Sequence, residues 1–328
     1  MPELFDNHNR RIDYLRVSIT DKCNLRCIYC MPKEGLSDFK KHRDILTYEE
    51  IELFVSHAIK QGISKVRLTG GEPLVRRDVV DLIRSLSGIP ELHDMSLTTN
   101  GVLLADFAEE LYKAGLERIN VSIDSLNSEK FKQITRVGDL NIVKKGIQKA
   151  LDVGFKPLKI NAVILKGIND GLSDLKDFAK LTFDYPLHVR FIEYMPFSKE
   201  VGFKAGLTCS EIAEKLKTFG SLNKVDSPRG SGPARYMKFK GALGTVGFIS
   251  PMSNHFCPEC NRLRLTADGK LKTCLFSNDE IDIIGPMRNN HPEEAVKEVL
   301  SRALKEKPKD HSSALKKDFV RTMSQIGG

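Results

Sequence analysis

The chain has 328 residues, 41% hydrophobic and 29% charged, ordinary values for a globular protein of one large domain or two smaller ones. Its 51 basic and 43 acidic residues leave a net charge of +8, dispersed along a chain without Trp. That distribution disfavours nucleic acid and suits a phosphorylated small molecule. No apolar run approaches the roughly 18–20 residues that cross a bilayer. Met1 to Arg11 is polar and lacks the charged-then-apolar order of a signal peptide, so no membrane and a cytoplasmic location are expected.

Six β-rich segments alternate with helical patterns. The strands are read at Asp13–Thr20, Lys65–Thr69, Met95–Thr99, Arg118–Asp124, Leu158–Leu165 and His188–Tyr194. Between the first two, Thr47 and Glu50 have the spacing of a capping box. Ile51, Phe54, Val55, Ala58 and Ile59 follow as one helical face, and Gly62 stops the helix. Arg77–Leu86, Leu104–Lys113, Leu140–Val153 and Leu172–Leu181 read as further helices. Strands joined by helical crossovers run parallel. Six such units predict an incomplete (β/α)6 barrel of the TIM type, an α/β fold with its reactive groups at the carboxyl ends of the strands.

The pattern changes near Asp226, where Pro228, Gly230, Gly232 and Pro233 mark a loop, so the chain divides into regions 1–225 and 226–328. The second region carries short strands, among them a hairpin over Leu263–Leu275 with a type I′ turn expected at Asp268-Gly269. A helix is expected from Pro292 to Lys305. The charged stretch from His291 to Lys317 reads as scaffold.

Six of the seven cysteines fall into two triplets; Cys209 stands apart in the first turn of a helix reaching to Phe219 and receives no role. Clustered thiols in a reducing compartment read as metal or redox sites. Cys23, Cys27 and Cys30 form C-x3-C-x2-C directly after the first strand. Three thiolates fit a [4Fe–4S] cluster with one open iron better than an incomplete zinc knuckle. Cys257 and Cys260 form C-x2-C, with Cys274 following; here His255 leaves a zinc site open as the alternative.

The run Cys23-Asn24-Leu25-Arg26-Cys27-Ile28-Tyr29-Cys30 resembles the signature of the radical S-adenosylmethionine (SAM) superfamily, whose residue before the third Cys is typically aromatic. Gly70-Gly71-Glu72-Pro73 resembles its second motif. The resemblance implies that the open iron chelates the amino and carboxylate groups of SAM, and that reductive cleavage yields a 5′-deoxyadenosyl radical. Phe256-Cys257-Pro258-Glu259-Cys260-Asn261-Arg262-Leu263-Arg264-Leu265-Thr266 is similar to the GTP 3′,8-cyclase family of molybdenum-cofactor biosynthesis. So are Gly247-Phe248-Ile249-Ser250-Pro251 and the terminal Gly327-Gly328.

That family implies removal of the 3′ hydrogen of GTP and attack of the ribose radical on C8 of guanine, with guanine on the open iron of a second [4Fe–4S] cluster. It implies GTP contacts at Arg16, Arg67, Thr98, Lys159, Arg262, Leu263 and Arg264, and SAM contacts at Tyr29, Gly71, Ser122 and Met195. It assigns Cys23, Cys27 and Cys30 to the first cluster and Cys257, Cys260 and Cys274 to the second. Arg16 is also a candidate for helping the last electron and proton reach the cyclised radical. A flavodoxin- or ferredoxin-type electron donor, the next enzyme of the molybdopterin pathway as functional partner, and a homodimer are implied as well, together with a Gly-Gly tail threading into the active site. The residues themselves support part of this. A triphosphate needs several charge-assisted donors, and Arg262 and Arg264 alternate along one strand and so share a face. The rival readings are a twin-cluster radical SAM enzyme acting on peptides and a non-catalytic iron–sulfur or zinc protein.

Overall fold

The computed structural model describes residues 2–35, 40, 42–196, 206–228, 232–289, 291–314 and 321–327; Gly230, Gly328 and positions 315–317 of the charged stretch lie outside them. In the first region β1 (Tyr14–Ser18), β2 (Lys65–Thr69), β3 (Asp94–Thr99), β4 (Arg118–Ser122), β5 (Leu158–Ile164) and β6 (His188–Glu193) alternate with helices. These are α1 (Tyr48–Gln61), α2 (Val79–Ser87), α3 (Leu104–Lys113), α4 (Ser128–Thr135), α5 (Leu140–Val153) and α6 (Leu172–Asp184). The capping box at Thr47 and Glu50 is formed, and the face read for α1 is the buried one. Helix α4 went unread because it is short and polar; the Asn127 side chain starts it by accepting from the Glu129 and Lys130 amides.

The first region also holds α7 (Cys209–Lys217) and β7 (Leu222–Val225), and the second adds β8 (Arg235–Phe239), β9 (Thr245–Ile249), β10 (Arg262–Leu265), β11 (Lys270–Lys272) and β12 (Ile281–Asp282). It ends in α8 (Ile284–Arg288), α9 (Pro292–Glu306), α10 (His311–Ala314) and α11 (Met323–Ile326). All strands join one sheet in the order β12-β11-β10-β1-β2-β3-β4-β5-β6-β9-β8-β7, whose two ends do not meet. The parallel portion is longer than the six strands expected. β10 runs parallel beside β1, and β9 parallel beside β6. Both belong to tight antiparallel pairs, β10 with β11 and β8 with β9, and this local signal concealed the parallel neighbour on their other edge.

The β10–β11 connection also differs from the expected turn. The Thr266 amide bonds the Lys270 carbonyl, so Ala267, Asp268 and Gly269 form a three-residue loop. Only Gly269 has positive φ there, whereas type I′ needs two such residues in succession.

Along each parallel strand the side chains alternate strictly. One face presents Leu15, Val17, Val66, Leu68, Ile119, Val121, Ile160, Val189, Val246, Leu263 and Leu265 to the helices as the apolar core. The other face presents Tyr14, Arg16, Arg67, Thr98, Ser122, Asn161, Arg190, Arg262 and Arg264 to a common cavity. A sheet whose strands all contribute to one cavity is curved around it, which is the partial-barrel arrangement.

Candidate active site

The first cysteine triplet lies in the loop that leaves β1. Gly71 is essential to that loop for a steric reason: its amide bonds the Thr20 carbonyl at 2.7 Å, and a Cβ there would collide with the Lys22 carbonyl. Next to it the buried Glu72 accepts from the Leu74 amide at 3.1 Å, the Thr99 hydroxyl at 2.8 Å and the Asn100 amide at 2.6 Å. Glu72 thereby fastens the ends of β2 and β3 together. Burial outweighs those bonds and raises its carboxyl to about 7. The Asn100 side-chain amide in turn donates to the side-chain oxygen Oδ1 of Asn24 at 2.7 Å and lies 3.8 Å from the Cys23 sulfur. Tyr29 donates to Asp124 at 2.7 Å, whose carboxyl burial lifts to about 6.

Burial raises all three thiols of this triplet; repulsion from neighbouring cysteines adds to it at Cys27 and Cys30, and the Glu72 charge at Cys23, and Cys30 is pushed up to about 12. Such a group of thiols ionises only against compensating positive charge, so the donor set fits an iron–sulfur cluster that supplies it.

Cations fill the middle of the cavity. Across the sheet Arg264, Arg16 and Arg67 stand in register on β10, β1 and β2, followed by Ser96 on β3, which accepts from Arg67 Nε at 3.1 Å. Arg262 stacks its guanidinium 4.8 Å from the Phe256 ring centre. Arg190, overlooked in the sequence, donates to Asn120 at 2.5 Å, and burial brings it down to about 10. Arg264 falls likewise to about 10, through burial and the neighbouring Arg262. Lys159 lies a layer deeper, opposite Asn120 and outside the cavity wall; burial and the Arg190, Arg118 and Arg67 charges bring it to about 6.

The cavity has a volume of about 320 Å³ and is lined by the first triplet at one end and the second at the other. Tyr14 Oη, Thr98 Oγ1, Asn161 Oδ1, Arg190 Nε and Arg262 Nε are buried on its lining without a hydrogen-bond partner among the described residues. Concentrated like charge with unsatisfied polar atoms is costly in a folded chain and is relieved by a polyanionic ligand with several acceptors. Tyr29, Gly71, Ser122 and Met195 also line the cavity; Met195 packs with the apolar cluster of Phe276 and Ile326, to which Cys274 also belongs. Leu263 is the exception: its side chain is fully buried in the apolar core behind the sheet.

At the second triplet the scaffold reading of the charged stretch needs correction. Lys307, 3% exposed at the end of α9, donates to the Arg262 carbonyl at 2.8 Å and the Thr273 carbonyl at 2.7 Å, and lies 3.6 Å from Cys260 Sγ. Burial would raise the Cys260 thiol, but the Lys307 and Arg262 charges more than offset it and bring it to about 7. Cys257 Sγ lies 3.7 Å from His311 Nδ1, with His255 beside them. Arg10 secures this loop from the other side, donating to the Cys257 carbonyl at 2.9 Å and the Pro308 carbonyl at 2.7 Å. Lys307 and His311 are invisible in sequence because they lie dozens of residues from the cysteines they meet.

The chain end returns to the cavity. Arg321 pairs with both Asp268 and Glu280 and pins the segment before α11, whose Met323 and Ser324 line the cavity. Gly327, at φ 68°, accepts from Arg264 at 2.8 Å; a Cβ there would lie 2.7 Å from the Thr69 methyl. Cys209 has no place in the site: it is buried, with its thiol 3.2 Å from the Ile249 carbonyl.

A partial barrel with a cysteine triplet after its first strand is the arrangement of radical SAM enzymes. Residues 17–181 match the model of the Radical SAM superfamily, and the chain belongs to it, a superfamily that uses SAM with an iron–sulfur cluster. Residues 187–313 match the model described as Molybdenum Cofactor Synthesis C. Within the superfamily the chain belongs with the GTP 3′,8-cyclases. It is 47% identical over 325 residues to the protein of that name from Thermodesulfovibrio yellowstonii, covering 98% of this chain and 99% of that one. The GTP 3′,8-cyclase of Alkaliphilus metalliredigens is 48% identical over the same shares. Among solved structures, Streptococcus suis SuiB bound to S-adenosylmethionine has a TM-score of 0.64 at 15% identity, over 87% of this chain and 68% of SuiB, a likeness of fold alone.

Proposed function

We propose that the chain converts GTP to (8S)-3′,8-cyclo-7,8-dihydroguanosine 5′-triphosphate, the opening step of molybdenum-cofactor synthesis. The observation that carries this reading is a single cavity with a cysteine triplet at each end and Arg16, Arg67, Arg262 and Arg264 between them. Cys23, Cys27 and Cys30 would hold one [4Fe–4S] cluster, and Cys257, Cys260 and Cys274 a second. When bound, the first cluster with SAM supplies the radical that takes the 3′ hydrogen, and the second offers guanine an open iron.

The remaining roles belong to the chain's own side chains. The arginines hold the triphosphate, each charge-assisted bond contributing about 1.5–3 kcal/mol. Their alignment across three adjacent strands supports a nucleotide lying along the cavity with ribose and base between the triplets. Asp124, accepting from Tyr29, keeps that ring against the SAM side of the cavity. The docked Gly327 fills space beside Arg264 that water would otherwise occupy.

Over the whole reaction C3′ loses a hydrogen, a C3′–C8 bond forms, and a proton enters; the product is an isomer of GTP. SAM leaves as methionine and 5′-deoxyadenosine. The two electrons come from a flavodoxin- or ferredoxin-type donor. Arg16 is the proposed final proton source, since burial and the Arg264 charge lower it well below an ordinary guanidinium. The same reading makes the chain a cytoplasmic homodimer that hands its product to the next molybdopterin enzyme; no helix among the described residues is long and apolar enough to cross a membrane.

The test is anaerobic. With clusters reconstituted, SAM and a strong reductant present, GTP should strongly stimulate 5′-deoxyadenosine release and yield a product isomeric with GTP. Release indifferent to GTP would keep the superfamily and overturn the substrate.

A further inference from the structure

Lys307 is a buried cation with an unusual set of partners. Its ammonium donates to two main-chain carbonyls, Arg262 and Thr273, and faces one sulfur, Cys260. The two carbonyls are neutral, so they satisfy hydrogen bonds without balancing a charge. The group beside it that a bound cluster would make anionic is the Cys260 sulfur at 3.6 Å, and the position of Lys307 outside the cavity wall keeps it away from any nucleotide there. The carbonyls also matter for geometry: Thr273 directly precedes Cys274, and Arg262 lies two residues after Cys260. One ammonium therefore ties the two cysteine-bearing segments to each other from behind.

We propose that Lys307 is a positioning residue for the second cluster, clamping the segments of Cys260 and Cys274 and offsetting the negative charge of the thiolate-bound cluster. The inference rests on the two-cluster reading above. A four-iron cluster with three thiolates is anionic, and a GTP triphosphate in the same cavity adds to that charge. A fixed cation behind the cluster stabilises its reduced form relative to surroundings that lack one, and so sets its potential. The arginines facing the cavity are neutralised by substrate when it binds, whereas Lys307 remains in place through turnover.

The test uses the full chain carrying C23S, C27S and C30S, so that only the second site can load. Lys307→Gln and Lys307→Arg are compared with Lys307 for iron and sulfide content and for midpoint potential by electron paramagnetic resonance titration. The expected result is a midpoint potential shifted to more negative values in Lys307→Gln, or loss of the cluster outright, with Lys307→Arg restoring most of either property. An unchanged iron content and potential in Lys307→Gln would overturn the proposal, as would equal loss in both variants, which would mean a requirement for shape rather than charge. If the chain with Lys307 intact loads no four-iron cluster, or takes one zinc on His255, Cys257 and His311, the two-cluster reading itself fails and the clamp fails with it.

Discussion

Arg67 ends the row of like charge formed with Arg264 and Arg16, donates to Ser96 on its other side, and lies 5.5 Å from the ring centre of Tyr14. Its neighbour Arg16 is pushed well below its ordinary value by burial, then by the Arg264 and Arg67 charges. Arg67→Met should therefore lower kcat/KM for GTP roughly 10–150-fold, the equivalent of about 1.5–3 kcal/mol for one charged hydrogen bond. The melting temperature of the cluster-free chain should not fall, because one repelling cation has left. Steady-state release of 5′-deoxyadenosine and thermal unfolding read the two effects separately; a large loss of stability would mean that Arg67 is a structural ion rather than a ligand-binding one. Glu72 carries a pH prediction. Its folded carboxyl, at about 7, lies above the 4.5 of an ordinary glutamate, so its contribution to stability is full below 4.5 and is lost as pH rises through 7. In urea titrations at pH 5 and pH 8, the stability of the natural chain relative to Glu72→Gln should fall at the higher pH. A difference that grows with pH would contradict the assignment.

At the scale of elements, legibility followed the range of the signal. β1 to β6 and their crossovers were readable because each strand alternates apolar and polar residues and each helix carries its own apolar face. The six clustered cysteines were readable because their spacing is local. Arg190 was passed over although it shares the parity of Lys159 and Asn161 along the strands; phase across strands, rather than composition within one, was the signal available. The parallel placement of β9 and β10, and the arrival of Lys307 and His311 at the second triplet, depend on contacts between distant segments, which no local pattern encodes. Two variants test the elements that bring the site together. Gly71→Ala forces the β2 turn away from the Lys22 carbonyl, and should abolish loading of the first triplet while the second still takes up iron, as measured by iron and sulfide counts. Arg321→Leu leaves Asp268 and Glu280 without their shared cation in a largely buried setting. It should cost about 3 kcal/mol in urea unfolding of the cluster-free chain. A cost below about 1 kcal/mol, the range of surface pairs, would show that the tail is not anchored there.

In the whole molecule, the second region lies on both edges of the barrel sheet, β10 beside β1 and β9 beside β6. This is how a C-terminal cysteine triplet comes to face an N-terminal one across a row of arginines. In the proposed reading the open partial barrel would admit the nucleotide, and Gly327, bonded to Arg264, would fill part of the mouth. In the proposed arrangement GTP lies between the triplets with its ribose C3′ toward the first. GTP carrying deuterium at C3′ tests it most directly, in anaerobic turnover with SAM and reductant, by mass spectrometry of the 5′-deoxyadenosine released. One deuterium is expected in that product, with a cyclised nucleotide that has lost it. Deuterium-free 5′-deoxyadenosine, with the label intact in unreacted GTP, would contradict that arrangement.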